Sequence, residues 1–229
     1  FIAHCKESVW KYKGMWEDFS RTVGFWADMD NPYVTYDNNY IESEWWALKS
    51  IYDRGLLYKG FKIVPYCPRC GTPLSSHEVA QGYKAVKERS AIVRFKVKGE
   101  DAYFLAWTTT PWTLPSNVAL CVNPKDTYCK VKAADGYTYY MAQPLLDAVL
   151  GRLKTEDAPA YEVLEEMPGT ALEYKEYEPL FTCAAECAEK QKKKGFYVTC
   201  ADYVTMGDGT GIVHIAPAFG EDDAQVGRR

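Results

Sequence analysis

Beyond Ser90 the chain is cut into short pieces, and this constrains its fold more than any other feature. Ile92-Val93-Arg94-Phe95-Lys96-Val97 and residues 103–108, 118–122, 128–132 and 137–141 are runs of β-branched and aromatic residues. Gly99-Glu100-Asp101, Asn123-Pro124 and Asp135-Gly136 lie between them as turn signals. Further strands are expected near 161–164, 172–177, 196–203 and 210–215, with a brief helix over 145–150 closed by Gly151. The lysine-rich stretch 184–194 reads as a solvated helix or loop. Many short strands with frequent turns argue for a barrel-like β domain with inserted helices.

The upstream part has a different period. Val9, Trp10, Trp16 and Phe19 recur at helical spacing, and Asp37-Asn38-Asn39 supply cap residues for a second helix. Its stripe is Ile41, Trp45, Leu48, Ile51 and Tyr52, and Gly55 ends it. A strand-like run over 56–66 leads into Cys67-Pro68-Arg69-Cys70. The expected fold class is α+β: a helical linking segment with a Cys-x-x-Cys knuckle over 1–85, then a predominantly β domain over 86–229.

Composition sets the outer bounds. At 229 residues, 47% of them apolar, there is ample material for a core, and global disorder is excluded. No apolar run approaches the roughly 20 residues of a membrane span, and Phe1-Ile2-Ala3-His4-Cys5-Lys6 is no signal peptide. The missing initiator Met suggests an excised piece of something longer. Lysine and arginine number 27 against 31 acids, so a duplex is not gripped by a basic surface. Any nucleic acid would be held locally. Eight cysteines without a secretory signal fit a reduced, cytoplasmic protein better than a disulfide framework.

Two stretches carry chemistry. Trp107-Thr108-Thr109-Thr110-Pro111-Trp112-Thr113-Leu114-Pro115-Ser116-Asn117 closes an apolar run with three hydroxyls, and Pro111 cannot continue a ladder. Gly209-Thr210-Gly211-Ile212-Val213-His214-Ile215-Ala216-Pro217 ends a second buried-strand pattern, followed by Glu221-Asp222-Asp223. One strand end rich in hydroxyls and one with a histidine and carboxylates suit a site for a polar ligand and an activated water. Plainer readings stay open: threonines favour strands, a lone strand histidine suits a hydrogen-bonded core, and a loop acid is often only solvated. There is no Gly-x-Ser-x-Gly elbow, and no histidine close to a nucleophilic serine or cysteine.

These stretches resemble the editing domain of isoleucyl-tRNA synthetases, a class I family, and the resemblance covers nearly the whole chain. Related valyl and leucyl enzymes carry arginine where this chain has Thr110, and lack a histidine at the place of His214. Tyr40-Ile41-Glu42-Ser43-Glu44-Trp45-Trp46 and the segment from Tyr66 to Ser75 are similar to the stretch leading into that domain in eukaryote-like isoleucyl enzymes. The resemblance implies that Thr108 and Thr109 face the scissile ester as donors to the developing oxyanion. It implies that Thr110, Trp112, Asn117 and Ala216 contact the substrate, and that His214 contacts substrate and water. Asp223 would receive the substrate ammonium, with Asp222 taking the role if the register slips by one.

Cys67 and Cys70 have the spacing of half a zinc knuckle, and a tetrahedral site needs four ligands. In the family the partner pair lies downstream, so an incomplete site without stoichiometric zinc is expected here. With histidines only at 4, 77 and 214 there is no His-x-Gly-His signature, nor any Lys-Met-Ser-Lys-Ser run. This chain is therefore expected to use no cofactor, with zinc, ATP and magnesium reserved for its full-length parent. The resemblance implies hydrolysis of valine misattached to the isoleucine tRNA. The expected partners are that tRNA's 3′ end and the remainder of the parent, with no membrane. Two rivals remain: a valyl- or leucyl-type editing domain, and a non-catalytic RNA-binding module.

Overall fold

The structure, a computed structural model, describes residues 1–156 and 158–228. It divides into two compact units, residues 1–61 and 62–229. The first holds helices α1 (Ile2–Thr22) and α2 (Asn38–Asp53), as the helical spacing predicts. Asp37 stands at the N-cap of α2, and Gly55 closes the helix with φ +70°. Neither helix buries a residue fully; Trp16, Trp45 and Trp46 are all exposed. Edge-on aromatic pairs tie the intervening loop to each helix: Trp10 of α1 with Tyr36 at 6.4 Å, and Tyr40 of α2 with Tyr33 at 5.0 Å.

The strand expected over 56–66 does not form. The segment is irregular until Tyr66, where a small hairpin begins: β1 (Tyr66–Cys67) paired with β2 (Thr72–Pro73). An isolated run of apolar residues has no neighbour to pair with here, and periodicity cannot supply one. Helix α3 (Ser76–Gln81) follows, started by a capping box in which Ser75 and Glu78 satisfy each other's backbone amides.

The rest of the second unit is one eight-stranded sheet. Its strands are β3 (Ala91–Lys96), β4 (Tyr103–Thr108), β5 (Ala119–Val122), β6 (Thr127–Ala133), β7 (Thr138–Ala142), β8 (Tyr161–Pro168), β9 (Tyr197–Cys200) and β10 (Ile212–Ile215). Strand β4 gives one edge to β3 and shares the other. Strand β7 runs parallel beside Tyr103 and Phe104, while β10 runs parallel beside Trp107. From β10 the path continues through β5 to β9, and from β7 through β6 to β8.

The expected strand over 172–177 is replaced by a short 3₁₀ turn (Gly169–Leu172) and two single bridges, Val97↔Tyr177 and Glu176↔Tyr197. Those bridges tie the free edge of β3 to the free edge of β9 and close β3, β4, β10, β5 and β9 into a ring. Closure covers the free edges of β3 and β9, while β8 remains an edge strand on the other branch. Inside lie Phe95, Phe104, Leu120, Val122, Tyr177, Val198 and Ile212, each 2% exposed or less. At about 1.5–3 kcal/mol for each large side chain removed from water, this packing holds the barrel. Helices α4 (Leu146–Leu150) and α5 (Thr182–Gln191) are the insertions; Lys192, in the left-handed region at φ +53°, ends the second.

Glu100, in the β3–β4 turn, locks the closing segment to the barrel. It pairs with Lys175, accepts from Tyr140 Oη at 2.9 Å and from Lys130 Nζ at 3.1 Å. Burial opposes its charge, but these three donors outweigh that and hold its pKa down to about 2, from an ordinary 4.5. A depressed carboxylate pKa means stability that is complete above pH 4.5 and lost as pH falls toward 2. Glu100→Gln is therefore expected to cost about 2 kcal/mol at pH 7 and almost nothing near pH 2. Denaturant melts of both proteins from pH 7 to 2 test this; an equal gap at both ends would remove the ion cluster from the account.

Candidate functional site

Where β4 ends, the threonines become a folded loop. Thr108 Oγ1 accepts from Thr110 N at 3.0 Å, and Thr110 caps a 3₁₀ turn (Pro111–Ser116) with Pro111 at its first position. Proline has no amide to lose there and its fixed φ suits the turn. Thr113 lies inside this turn, 6% exposed, and its Oγ1 donates to Thr110 O at 2.8 Å. Thr108 is buried, Thr110 half-buried, and Thr109 and Trp112 face solvent. Asn117 is 3% exposed with both polar ends engaged: Nδ2 donates to Ala119 O at 2.8 Å, and Oδ1 accepts from Tyr177 Oη at 2.7 Å. In this geometry Asn117 ties the turn's exit to the barrel-closing segment.

Strand β10 brings the second stretch alongside. Gly209 and Gly211 have φ of +78° and +72°, conformations that suit glycine, and they turn the chain into the strand. His214, 8% exposed, reaches across to Thr113, with Nε2 3.0 Å from its Oγ1. After Ile215 the chain leaves the sheet, and a short helix α6 (Glu221–Val226) sends Asp223 back to it. Asp223 Oδ2 accepts from Ala216 N at 3.0 Å. Of the two acids Asp223 is the half-buried one, and Asp222 is exposed.

The charges are unusual. Burial pushes the Asp223 carboxyl above its ordinary range, although the Ala216 amide and His214 pull the other way. Burial pushes the His214 imidazole down, with Asp223 opposing. Both shifts come first from burial and disfavour the charged forms, so a neutral His214 offers Asp223 no full counter-charge.

Thr108, Thr110, His214, Ala216 and Asp223 are brought together through Thr113 and the β10 turn, across more than a hundred residues of chain. Thr113 is the residue that the motif reading passed over, although it stands in the same stretch; only the cross-chain contact to His214 marks it. A cavity of about 660 Å³ adjoins the site, lined by Pro115, Ser116, Cys183, Lys194, Ile215 and Pro217 among others. Thr108, Thr109, Thr110, Thr113, His214 and Asp223 are not in its lining, and the polar groups of the candidate site belong to the strand ends rather than to this hollow.

Cys67 and Cys70 sit across the β1–β2 hairpin, with Cys70 N donating to Cys67 Sγ at 3.3 Å. That amide hydrogen bond lowers the Cys67 thiol pKa. Among the described residues no group of three or more His, Cys, Asp or Glu side chains gathers to hold a metal. Purified protein is expected to contain far less than one zinc per chain. Elemental analysis finding about one tightly held zinc would overturn this and direct attention to Cys183, Cys187 and His77.

No described helix is long and apolar enough to cross a membrane. The chain is 56% identical to an isoleucine–tRNA ligase of Clostridium acetobutylicum over 230 residues, covering all of this chain and 21% of that protein. It is 52% identical to one of Bacillus thuringiensis over 227 residues, with 99% and 21% covered. The chain thus spans about a fifth of the length of these relatives. Among solved structures, the editing domain of cytosolic leucyl-tRNA synthetase from P. falciparum is similar with TM-score 0.42 and 15% identity. The match covers 81% of this chain and 57% of that one. A family model for the class I tRNA synthetases (I, L, M and V) matches residues 1–207, and the chain belongs to that family.

Proposed function

We propose that this chain is the editing part of an isoleucyl-tRNA synthetase, hydrolysing the ester of valine misattached to the isoleucine tRNA. In this reading residues 86–229 edit and residues 1–85 link them to the parent enzyme, which works in the cytoplasm. The observation that carries it is the half-buried Asp223 carboxyl held at Ala216 N, two residues beyond the His214 that reaches Thr113 in the threonine loop. An aminoacyl ester has a free ammonium group, and a peptidyl or blocked ester does not. A fixed carboxylate in a partly desolvated site selects the first.

Hydrolysis proceeds by direct attack of water, because the hydroxyl that pairs with His214, that of Thr113, is buried and gives its proton to the Thr110 carbonyl. Thr108, Thr109 and Thr110 cradle the ester with hydroxyls and backbone amides, and the oxyanion develops against those donors. Trp112 and Asn117 flank the loop that receives the terminal adenosine, and no cofactor takes part. The need for such a site is arithmetic. One methylene is worth about 1–3 kcal/mol in a hydrophobic pocket, a general figure for which isoleucyl enzymes are themselves the usual illustration. A second site that admits valine and excludes isoleucine multiplies the selectivity.

The test is to incubate this chain with isoleucine tRNA charged with valine and, separately, with isoleucine. Valyl ester should disappear and isoleucyl ester persist. Equal rates would overturn the editing assignment, and binding of tRNA without hydrolysis of either ester would make the chain a non-catalytic RNA-binding module. Faster clearance of threonyl-tRNA from a valine tRNA would shift the reading to a valyl-type enzyme.

A further inference from the structure

The hydrogen bonds around Thr113 fix where the proton of His214 sits. A threonine hydroxyl has one proton, and Thr113 gives it to the carbonyl of Thr110 at 2.8 Å. A carbonyl cannot donate in return. The 3.0 Å contact between the same hydroxyl and His214 Nε2 therefore requires the imidazole to be the donor. A neutral ring protonated on Nε2 leaves a bare lone pair on Nδ1. That atom is buried and, among the described residues, has no hydrogen-bond partner. His214 as a whole is 8% exposed and within electrostatic reach of Asp223.

An unpaired buried acceptor costs about 1–3 kcal/mol, so a ligand that supplies a donor recovers this on binding. The acid within electrostatic reach, Asp223, is bound to Ala216 N through Oδ2. A bare Nδ1 and a carboxyl held at Ala216, two residues further on, suit a group with several N–H bonds and a positive charge, even though the Ala216 amide and the Tyr203 hydroxyl already act on that carboxyl. A hydroxyl offers one donor and water two; a primary ammonium offers three and the charge as well.

We infer that Thr113 is a positioning residue: it holds His214 as the Nε2–H tautomer, so that Nδ1 and the Asp223 carboxylate form a paired acceptor for a primary ammonium group. The ammonium half of this rests on the proposed function; the tautomer half does not. Were Thr113 unable to accept, the ring would be free to place its proton on Nδ1, and a donor would then face the ammonium. The bond also ties the loop that carries Thr108–Thr110 to the strand that carries His214, so one hydroxyl sets the orientation of both.

Nitrogen-15 NMR of the imidazole rings in the intact chain tests this without any substrate. Wild type and Thr113→Ser should show His214 with Nδ1 unprotonated and Nε2 protonated, whereas Thr113→Val should show a mixture of tautomers. Valyl-tRNA hydrolysis should fall about tenfold or more in Thr113→Val and return in Thr113→Ser, the range expected for loss of an orienting partner. A wild-type proton on Nδ1 overturns the inference, as does a Thr113→Val protein that keeps both tautomer and rate, or a Thr113→Ser protein that loses the tautomer. The ammonium half is read by adding a non-hydrolysable valylamido-adenosine. The Nδ1 signal should move with the free amine and stay unmoved with its N-acetyl form; the same response to both, or to neither, removes it. If the tautomer is as expected but wild type hydrolyses no valyl ester, the editing reading fails while the role of Thr113 in holding His214 stands.

Discussion

Asp223→Asn is expected to remove about two to three orders of magnitude from valyl ester hydrolysis while making the domain more stable. The loss corresponds to roughly 2–5 kcal/mol for a buried charge whose partner disappears. The stability gain follows from the sign of the pKa shift. Burial raises the Asp223 carboxyl in the folded chain, so its ionised form is less favourable there than in the unfolded chain. A raised carboxylate pKa costs nothing below the ordinary carboxylate range, and the cost grows as pH rises through that range and past the folded value. Asparagine keeps an oxygen for the Ala216 amide and removes the charge. Thermal melts should thus favour the variant at pH 7, with the difference closing toward pH 3. Asp222→Asn, at an exposed position, should change neither rate nor melting temperature. If Asp222→Asn loses hydrolysis and Asp223→Asn does not, the carboxylate assignment is off by one residue.

Gly211→Ala should be the most destabilising small substitution near the site. Its φ of +72° penalises any side chain, and a Cβ would lie 2.3 Å from Ala142 Cβ and 3.1 Å from Met206 Sδ. The collision cannot be relieved locally. Gly211 O accepts from the buried Tyr128 Oη at 2.7 Å, and the neighbouring Thr210 O accepts from Ala142 N at 3.0 Å. Either the turn lifts off β7 or those bonds break, so a cost of at least about 3 kcal/mol is expected. In a unit of this size that is a fall of about 6–12 °C in melting temperature. Because the same turn delivers His214 to Thr113, editing should fail at temperatures where the barrel still holds. A variant melting within a degree or two of wild type would show that the turn has slack.

Much of this could be read along the chain because it depends on neighbours in sequence. The strands over 91–142 and helices α1, α2 and α4 follow from short-range periodicity and from turn and cap residues at their ends. Thr108, Thr110, His214 and Asp223 stood out as polar groups at or just beyond the ends of apolar runs, with Ala216 between the last two. The knuckle at Cys67 and Cys70 was legible for the same local reason.

Other features were decided only by tertiary contact. Residues 172–177 carry strand-forming types, but they contribute two single bridges, because their place is the gap between β3 and β9 and not a lane of the sheet. Asn117 looks like a loop polar group until Tyr177, sixty residues away, claims its oxygen. Asp222 and Asp223 are alike in sequence; the direction of α6 buries one and leaves the other in water. Thr113 has no local mark at all, since its meaning lies in a hydrogen bond to a histidine 101 residues further on. A sequence specifies which groups can bond and which local shapes are cheap. Which donor meets which acceptor is settled when the barrel closes and brings the two strand ends to the same place.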